Sequence, residues 1–264
     1  LHMNNGTGHF TDEASLRGVA SPLDGRVALL VDLTGDGHLD IVSVTSSATE
    51  MFVNDGTGHF TVDLSLFAGL SDVFSVGVAE LSGRGGRLDT VLVSAASGVH
   101  VVGDLASVVV SEETLSPLAA AWRGMVVSDM NLDGLPDVTA AAFESTCGAW
   151  ANSGGGKFVD TSVVWGMPQS PRSYHAVVAA DVDNDGDEDI LISRTTVVLQ
   201  NHNARPGLGN WLKVRPLTVA GSPSAYGARV DVRCVSGCAT LWASARVTAS
   251  GGTYLSSSGY DIVV

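Results

Sequence analysis

The sequence predicts an all-β fold, with repeated blades of four antiparallel strands followed by a small β-sandwich-like module. Three observations predict it. An acidic nine-residue pattern recurs with starts at Asp32, Glu80, Asp129 and Asp181, and a period near fifty residues marks solenoid or propeller architecture. Short apolar runs, mostly β-branched, flank every copy; runs of that length favour strands over helices. The 31 Gly, against only 8 Pro, cluster between those runs, as the punctuation of many short strands does.

The elements follow in order. Asn4-Asn5-Gly6-Thr7-Gly8-His9-Phe10 is a Gly-rich turn, so the chain opens inside a unit, and the natural N-terminus with any signal peptide is expected ahead of Leu1. Residues 27–31 read as a strand, 32–40 as the acidic loop, 41–44 and 51–53 as strands, and 54–60 as the same Gly-rich turn. The second unit has strands at 74–79 and 91–93 around a degraded loop, 80–89. The third has strands at 125–127, 138–142 and 149–151, with its loop at 129–137 and its turn at 152–158. The fourth has strands at 176–180 and 190–192 around the loop 181–189. Turns of this composition need positive φ and so recruit Asn, Asp and Gly. Each unit is therefore strand, acidic loop, strand, strand, turn, strand, which at this period is a β-propeller blade. Four such units and the tail of a fifth predict a partial or fragment ring over residues 1–205.

Composition narrows the function. Hydrophobic residues make up 45% and charged residues 16%, so the chain can bury a core. Fourteen Lys plus Arg against 28 Asp plus Glu leave a formal charge of −14. Nucleic acid and anionic membrane surfaces need a basic face and are excluded as main partners. No apolar run is long enough for a transmembrane helix. A strongly acidic chain suits cations, provided its carboxylates cluster.

They cluster in the loops. Asp32, Thr34, Asp36 and Asp40 place oxygen side chains at positions 1, 3, 5 and 9; Asp129, Asn131, Asp133 and Asp137 do the same, as do Asp181, Asp183, Asp185 and Asp189. A Gly at position 6 allows a sharp turn, after which the main-chain carbonyl of His38, Leu135 or Asp187 can face inward. Such a donor set suits a hard cation with six to eight oxygen ligands, and Ca²⁺ is expected at three sites. An EF-hand would need Glu at position 12, where Ser43, Ala140 and Ile192 stand. A single Asp-Gly pair would be only a hairpin turn, but crowding three or more carboxylates without a cation costs several kcal/mol. The loop at Asp181 has the most carboxylates and is expected to bind most tightly. In the degraded loop Arg84 takes position 5. That loop is expected to hold no metal, with Arg84 either bridging Glu80 and Asp89 or turned to solvent. A loop saturated by its own oxygens makes the metal structural and the protein non-catalytic.

Other motifs are weaker. Cys234-Val235-Ser236-Gly237-Cys238 reads as a hairpin that brings two thiols to bridging distance, as a disulfide or as reduced thiols. Cys147 reads as a buried strand residue. Gly154-Gly155-Gly156-Lys157 lacks the Ser/Thr of a phosphate loop and aligns with the other hairpin turns. Ser173, Tyr174 and His175 read as strand-edge residues. Asn5-Gly6-Thr7 is a glycosylation sequon, usable if the protein is secreted.

The repeats resemble the FG-GAP (VCBS-type) repeats of integrin-α-like propellers. The tail segments 210–215, 226–232 and 251–257 resemble the ASPIC/UnbV module that follows such repeats in proteins similar to cartilage acidic protein, although the closing HFGLG-like segment is absent and the module at 206–264 is read as incomplete. The resemblance implies a secreted, calcium-binding adhesion or interaction scaffold without catalytic activity, with an extracellular protein or glycan as partner. The alternative it leaves is an accessory propeller domain of a secreted hydrolase or other enzyme.

Overall fold

In the computed structural model, which describes residues 1–68, 70, 72–79, 81, 90–95, 98–102, 112–114, 121–183, 187–193, 197–200, 213–214, 229–233, 242–246 and 262–263, strands and turns make up the described chain, with no helix. A hairpin of β1 (His2–Asn4) and β2 (Phe10–Asp12) comes first. Four antiparallel meanders follow, with neighbours in sequence order. The first is β3 (Gly25–Val31), β4 (Asp40–Thr45), β5 (Thr49–Asn54) and β6 (Phe60–Asp63). The second is β7 (Val73–Ala79), β8 (Thr90–Ala95), β9 (Gly98–Val102) and β10 (Glu112–Thr114). The third is β11 (Ala121–Ser128), β12 (Asp137–Phe143), β13 (Gly148–Asn152) and β14 (Phe158–Asp160). The fourth shows β15 (Ala176–Ala180), β16 (Asp189–Ser193) and β17 (Val197–Gln200). In the tail, β18 (Lys213–Val214) pairs with β21 (Ile262–Val263), and β19 (Arg229–Arg233) pairs with β20 (Trp242–Arg246).

These are the expected propeller-like blades. The degraded loop with Arg84, residues 184–186 of the last loop, and Cys234 with Cys238 lie outside the described residues.

The core sits between blades rather than inside them. Leu29, Val31, Val42, Val44 and Met51 of blade 1 meet Val73, Val76 and Val102 of blade 2. Val99 and Val101 of blade 2 meet Trp122, Met125, Val138 and Trp150 of blade 3. Val126, Ala141 and Ala149 of blade 3 meet Val177, Ala179, Ile190 and Ile192 of blade 4. Blade 3 has a neighbour on each side, and β12 is buried on both faces through Asp137–Ala142. That explains its unbroken run of small residues, since Val138, Ala140 and Ala142 serve one core and Ala141 the other.

The first strands of successive blades lie side by side. A Cβ on Gly124 of β11 would stand 2.9 Å from Ala176 Cα and 3.1 Å from Val177 N of β15. Only a residue without a side chain lets the two backbones come that close.

Candidate metal centres in the aspartate loops

Each acidic loop closes the hairpin between the first two strands of its blade. Val31 pairs with Asp40, Ser128 with Asp137, and Ala180 with Asp189. Position 1 therefore directly follows the first strand, and position 9 begins the second. Alternation along that strand sends position 9 inward: Asp40 and Asp137 are fully buried, and Asp189 nearly so.

Position 9 ties the neck of the loop. Asp40 Oδ2 accepts from the amides of Leu33 (3.0 Å) and Thr34 (3.2 Å), and its Oδ1 from the amide of Asn54 (2.9 Å). Asp137 repeats this, accepting from Met130 N at 2.9 Å and Asn152 N at 2.8 Å. Asp189 accepts from Val182 N at 3.0 Å. The donor in each of these three loops includes position 2. The position-2 side chains Leu33 and Met130 plug inter-blade cores, as does Leu81 in the second unit.

Position 1 caps the bend. Asp32 accepts from the amides of Gly35 (2.7 Å), Asp36 (3.2 Å) and Gly37 (3.0 Å). Asp129 accepts from Asp133 N at 3.1 Å and Gly134 N at 2.8 Å. Position 5 turns toward the next bend: Asp36 Oδ1 accepts from His38 N at 2.8 Å and Asp133 Oδ1 from Leu135 N at 2.9 Å. Asn131 donates from Nδ2 to Asp133 Oδ2 at 3.0 Å. Thr34, Asp36, His38, Asp133 and Asp183 are exposed. Asp181 is partly exposed, and Asp187 is buried. The neighbouring Glu188 hydrogen-bonds Ser128 at the end of β11, linking the last loop to blade 3.

The carboxylates feel one another. Burial pushes Asp137 up to about 7, and the charges of Asp129 and Asp133 add to it. Burial likewise raises Asp129 to about 6, with Asp133 adding, against the lowering effect of its backbone hydrogen bonds. Asp40 is raised by burial, with Asp36 contributing. Among the described residues, no three His, Cys, Asp or Glu side chains already converge as a ligand set. The donors themselves, carboxylates with amide and hydroxyl oxygens, are those a hard cation takes. With an ion present, Asp32, Thr34, Asp36 and Asp40 would hold it in the first loop, and Asp129, Asn131, Asp133 and Asp137 in the third.

A second repeated device lies beside the loops. Asn54, the last residue of β5, receives Gly56 N and Gly58 N on Oδ1 and donates from Nδ2 to Leu39 O at 2.9 Å. Asn152 receives Gly154 N and donates to Pro136 O at 3.2 Å and, across to blade 2, to Leu81 O at 3.0 Å. The sequence marks these asparagines only as turn residues. Their clamp on the acidic loop needs the strand register, although their recurrence at one place in each Gly-rich turn is a visible signal. The 154–157 segment is such a turn, with Gly154, Gly155 and Gly156 all at positive φ. Cys147 is buried, and its thiol is pushed up to about 12 by that burial.

Comparison with known proteins bears on these loops. Residues 32–86 and 129–192 match the FG-GAP-like repeat family. Each matched stretch starts on the first aspartate of a loop and extends through the first strand of the next blade, so the family's repeat is offset from the blade by one strand. No curated protein sequence matches at a significant level. Among solved structures, an Agrocybe aegerita lectin that recognises non-reducing terminal N-acetylglucosamine is 22% identical over 77% of this chain and 60% of its own, with a TM-score of 0.47. The V. cholerae biofilm matrix protein Bap1 is 19% identical over 79% of this chain and 33% of its own, with a TM-score of 0.42. The chain thus spans less than two thirds of the length of either.

Proposed function

We propose that this chain is a non-catalytic, secreted interaction scaffold whose blades are stiffened by Ca²⁺ in the loops at Asp32, Asp129 and Asp181, and whose partner is an extracellular protein or glycan. The observation that carries the reading is the loop itself. Its acidic pattern recurs at the same point of three blades, with the position-9 carboxylate anchored on backbone amides; burial, and then the nearby position-5 charge, raises the proton affinity of Asp40 and Asp137. The match of both loop-bearing stretches to the FG-GAP-like repeat supports it. A cation there would relieve the repulsion between carboxylates and fix the hairpin between the first two strands of a blade. Scaffold behaviour is tested by passing the protein over immobilised extracellular matrix proteins and glycans, with Ca²⁺ and with chelator, alongside a broad hydrolase panel. The reading expects Ca²⁺-dependent retention and no turnover; turnover that requires residues of this chain would overturn it.

A further inference from the structure

The end of the blades away from the acidic loops carries a repeat of its own. In each of the first three blades the opening strand is bulged. Pairing skips between Gly25 and Val27, between Val73 and Ser75, and between Trp122 and Gly124. The residues at which the strand register skips are Arg26, Phe74 and Arg123. Each stands six residues ahead of its loop, and His175 has the same place in the fourth blade. A bulge re-aims the side chain it releases, and these side chains meet. Arg26 Cζ lies 4.0 Å and Arg123 Cζ 3.9 Å from the centre of the Phe74 ring. Arg123 Cζ is also 5.3 Å from the Phe143 ring, and that ring lies 5.4 Å from His175. Residues from four blades form one row of cations and rings.

The two arginines differ. Arg26 is neutralised by Asp72, with Nη1 and Nη2 each 3.2 Å from Oδ1, and it also donates to Val73 O at 2.9 Å. Arg123, only partly exposed, has no hydrogen-bond or carboxylate partner among the described residues; its contacts are the two rings. Glu144, next to Phe143, is exposed and forms no ion pair with it. Rings on its faces leave the guanidinium its N–H edge, whose fork matches a carboxylate. The protein's charge of −14 repels a polyanion at long range. A single carboxylate on an otherwise uncharged body suits the spot.

We propose that this row binds a uronic acid residue of an otherwise neutral glycan, with the sugar carboxylate on the Arg123 guanidinium and the sugar ring beside Phe143 and His175. The proposal rests on the scaffold reading above and names its ligand class and its surface. The test titrates the full chain, in Ca²⁺, with methyl glucuronide, methyl glucoside and N-acetyl-aspartate amide by calorimetry or ligand-observed NMR. The account expects the glucuronide to bind, the glucoside and the aspartate amide to bind at least tenfold more weakly, and Arg123→Gln to weaken the glucuronide at least tenfold. Arg123→Lys keeps the charge over the rings but loses the fork; it should fold with an unchanged melting temperature and still bind several-fold more weakly. Equal binding of glucuronide and glucoside, or of glucuronide and aspartate amide, would overturn the proposal. So would full affinity in both variants, or no binding by the wild type. Retention on another extracellular ligand, unaffected by Arg123→Gln, would leave the scaffold reading standing while removing this site.

Discussion

Asp36 and Asp40 share one loop, yet removing them should have opposite signatures. Asp40 is buried and satisfies three backbone amides. Leaving those donors unpaired costs about 1–3 kcal/mol for each one that water cannot reach. Asp40→Ala should therefore lower stability by roughly 2–4 kcal/mol with or without Ca²⁺. Asp36 is exposed and holds only the amide of His38, so Asp36→Ala should cost little in chelator and remove the Ca²⁺-dependent gain of its own loop. Chemical denaturation of both variants, with Ca²⁺ and with chelator, checks this; equal losses for the two in chelator would contradict it. The nine-residue spacing of the acidic loop is local and therefore legible in the sequence. It could not separate the structural Asp40 from the exposed Asp36, because the partner that distinguishes them, Asn54, arrives through strand pairing.

Titration of carboxylates in the third-blade loop gives a second expectation. Asp129 and Asp137 have folded-state values of about 6 and about 7, above the ordinary 3.8. Between 3.8 and about 7 the native state holds more protons than the unfolded chain, so these groups make stability fall as pH rises. Metal-free protein should melt at a higher temperature at pH 5.5 than at pH 7.5, and Asp137→Asn should flatten the difference. A wild-type melting temperature that rises with pH in chelator would contradict the assignment.

At the scale of elements, the blade strands were legible from short β-branched runs and Gly-rich turns, while their exact shape was not. The first strands begin earlier than the apolar runs, at Gly25 and Ala121, because a bulge precedes the regular pairing. Nothing in Arg26, Phe74 or Arg123 taken singly announces a bulge; only their shared distance from the acidic loop does. Contact between first strands makes a sharp prediction. Gly124→Ala would push a methyl group to 2.9 Å from the Ala176 backbone, so it should cost about 1–3 kcal/mol or more. In Gly77→Ala the added carbon meets the movable Val127 Cγ2 at the same distance, and the loss should be smaller. Thermal melts of the two variants check the order, and a larger loss for Gly77→Ala would contradict the backbone contact.

For the whole molecule, stability is shared between blades, and position 2 of each loop shows how. Leu33, Leu81 and Met130 are at most 4% exposed, whereas Val182 of the last loop is 56% exposed. The first three residues are covered by the junction with an adjoining blade. Truncating a buried Leu costs about 2–5 kcal/mol, so Leu81→Ala should destabilise strongly while Val182→Ala stays within about 0.5 kcal/mol of wild type. Denaturant midpoints for the pair measure this; a large loss at Val182 would show that its face is covered. The period near fifty residues made the blade order legible, but the inter-blade location of the core follows from the assembled sheets.

Ca²⁺ in the acidic loops, as proposed, would hold the blades. The most direct measurement is calorimetric titration of chelator-treated protein with Ca²⁺, paired with melting curves in Ca²⁺, Mg²⁺ and chelator. Binding to the native state alone stabilises it by about 1.4 kcal/mol per site at tenfold excess over Kd. Three sites are expected, with a melting temperature that falls in chelator and recovers with Ca²⁺ but not with equal Mg²⁺, and loss of one site each in Asp36→Ala, Asp133→Ala and Asp185→Ala, with Asp185→Ala removing the tightest. No binding heat together with identical melting curves in Ca²⁺ and chelator would contradict it.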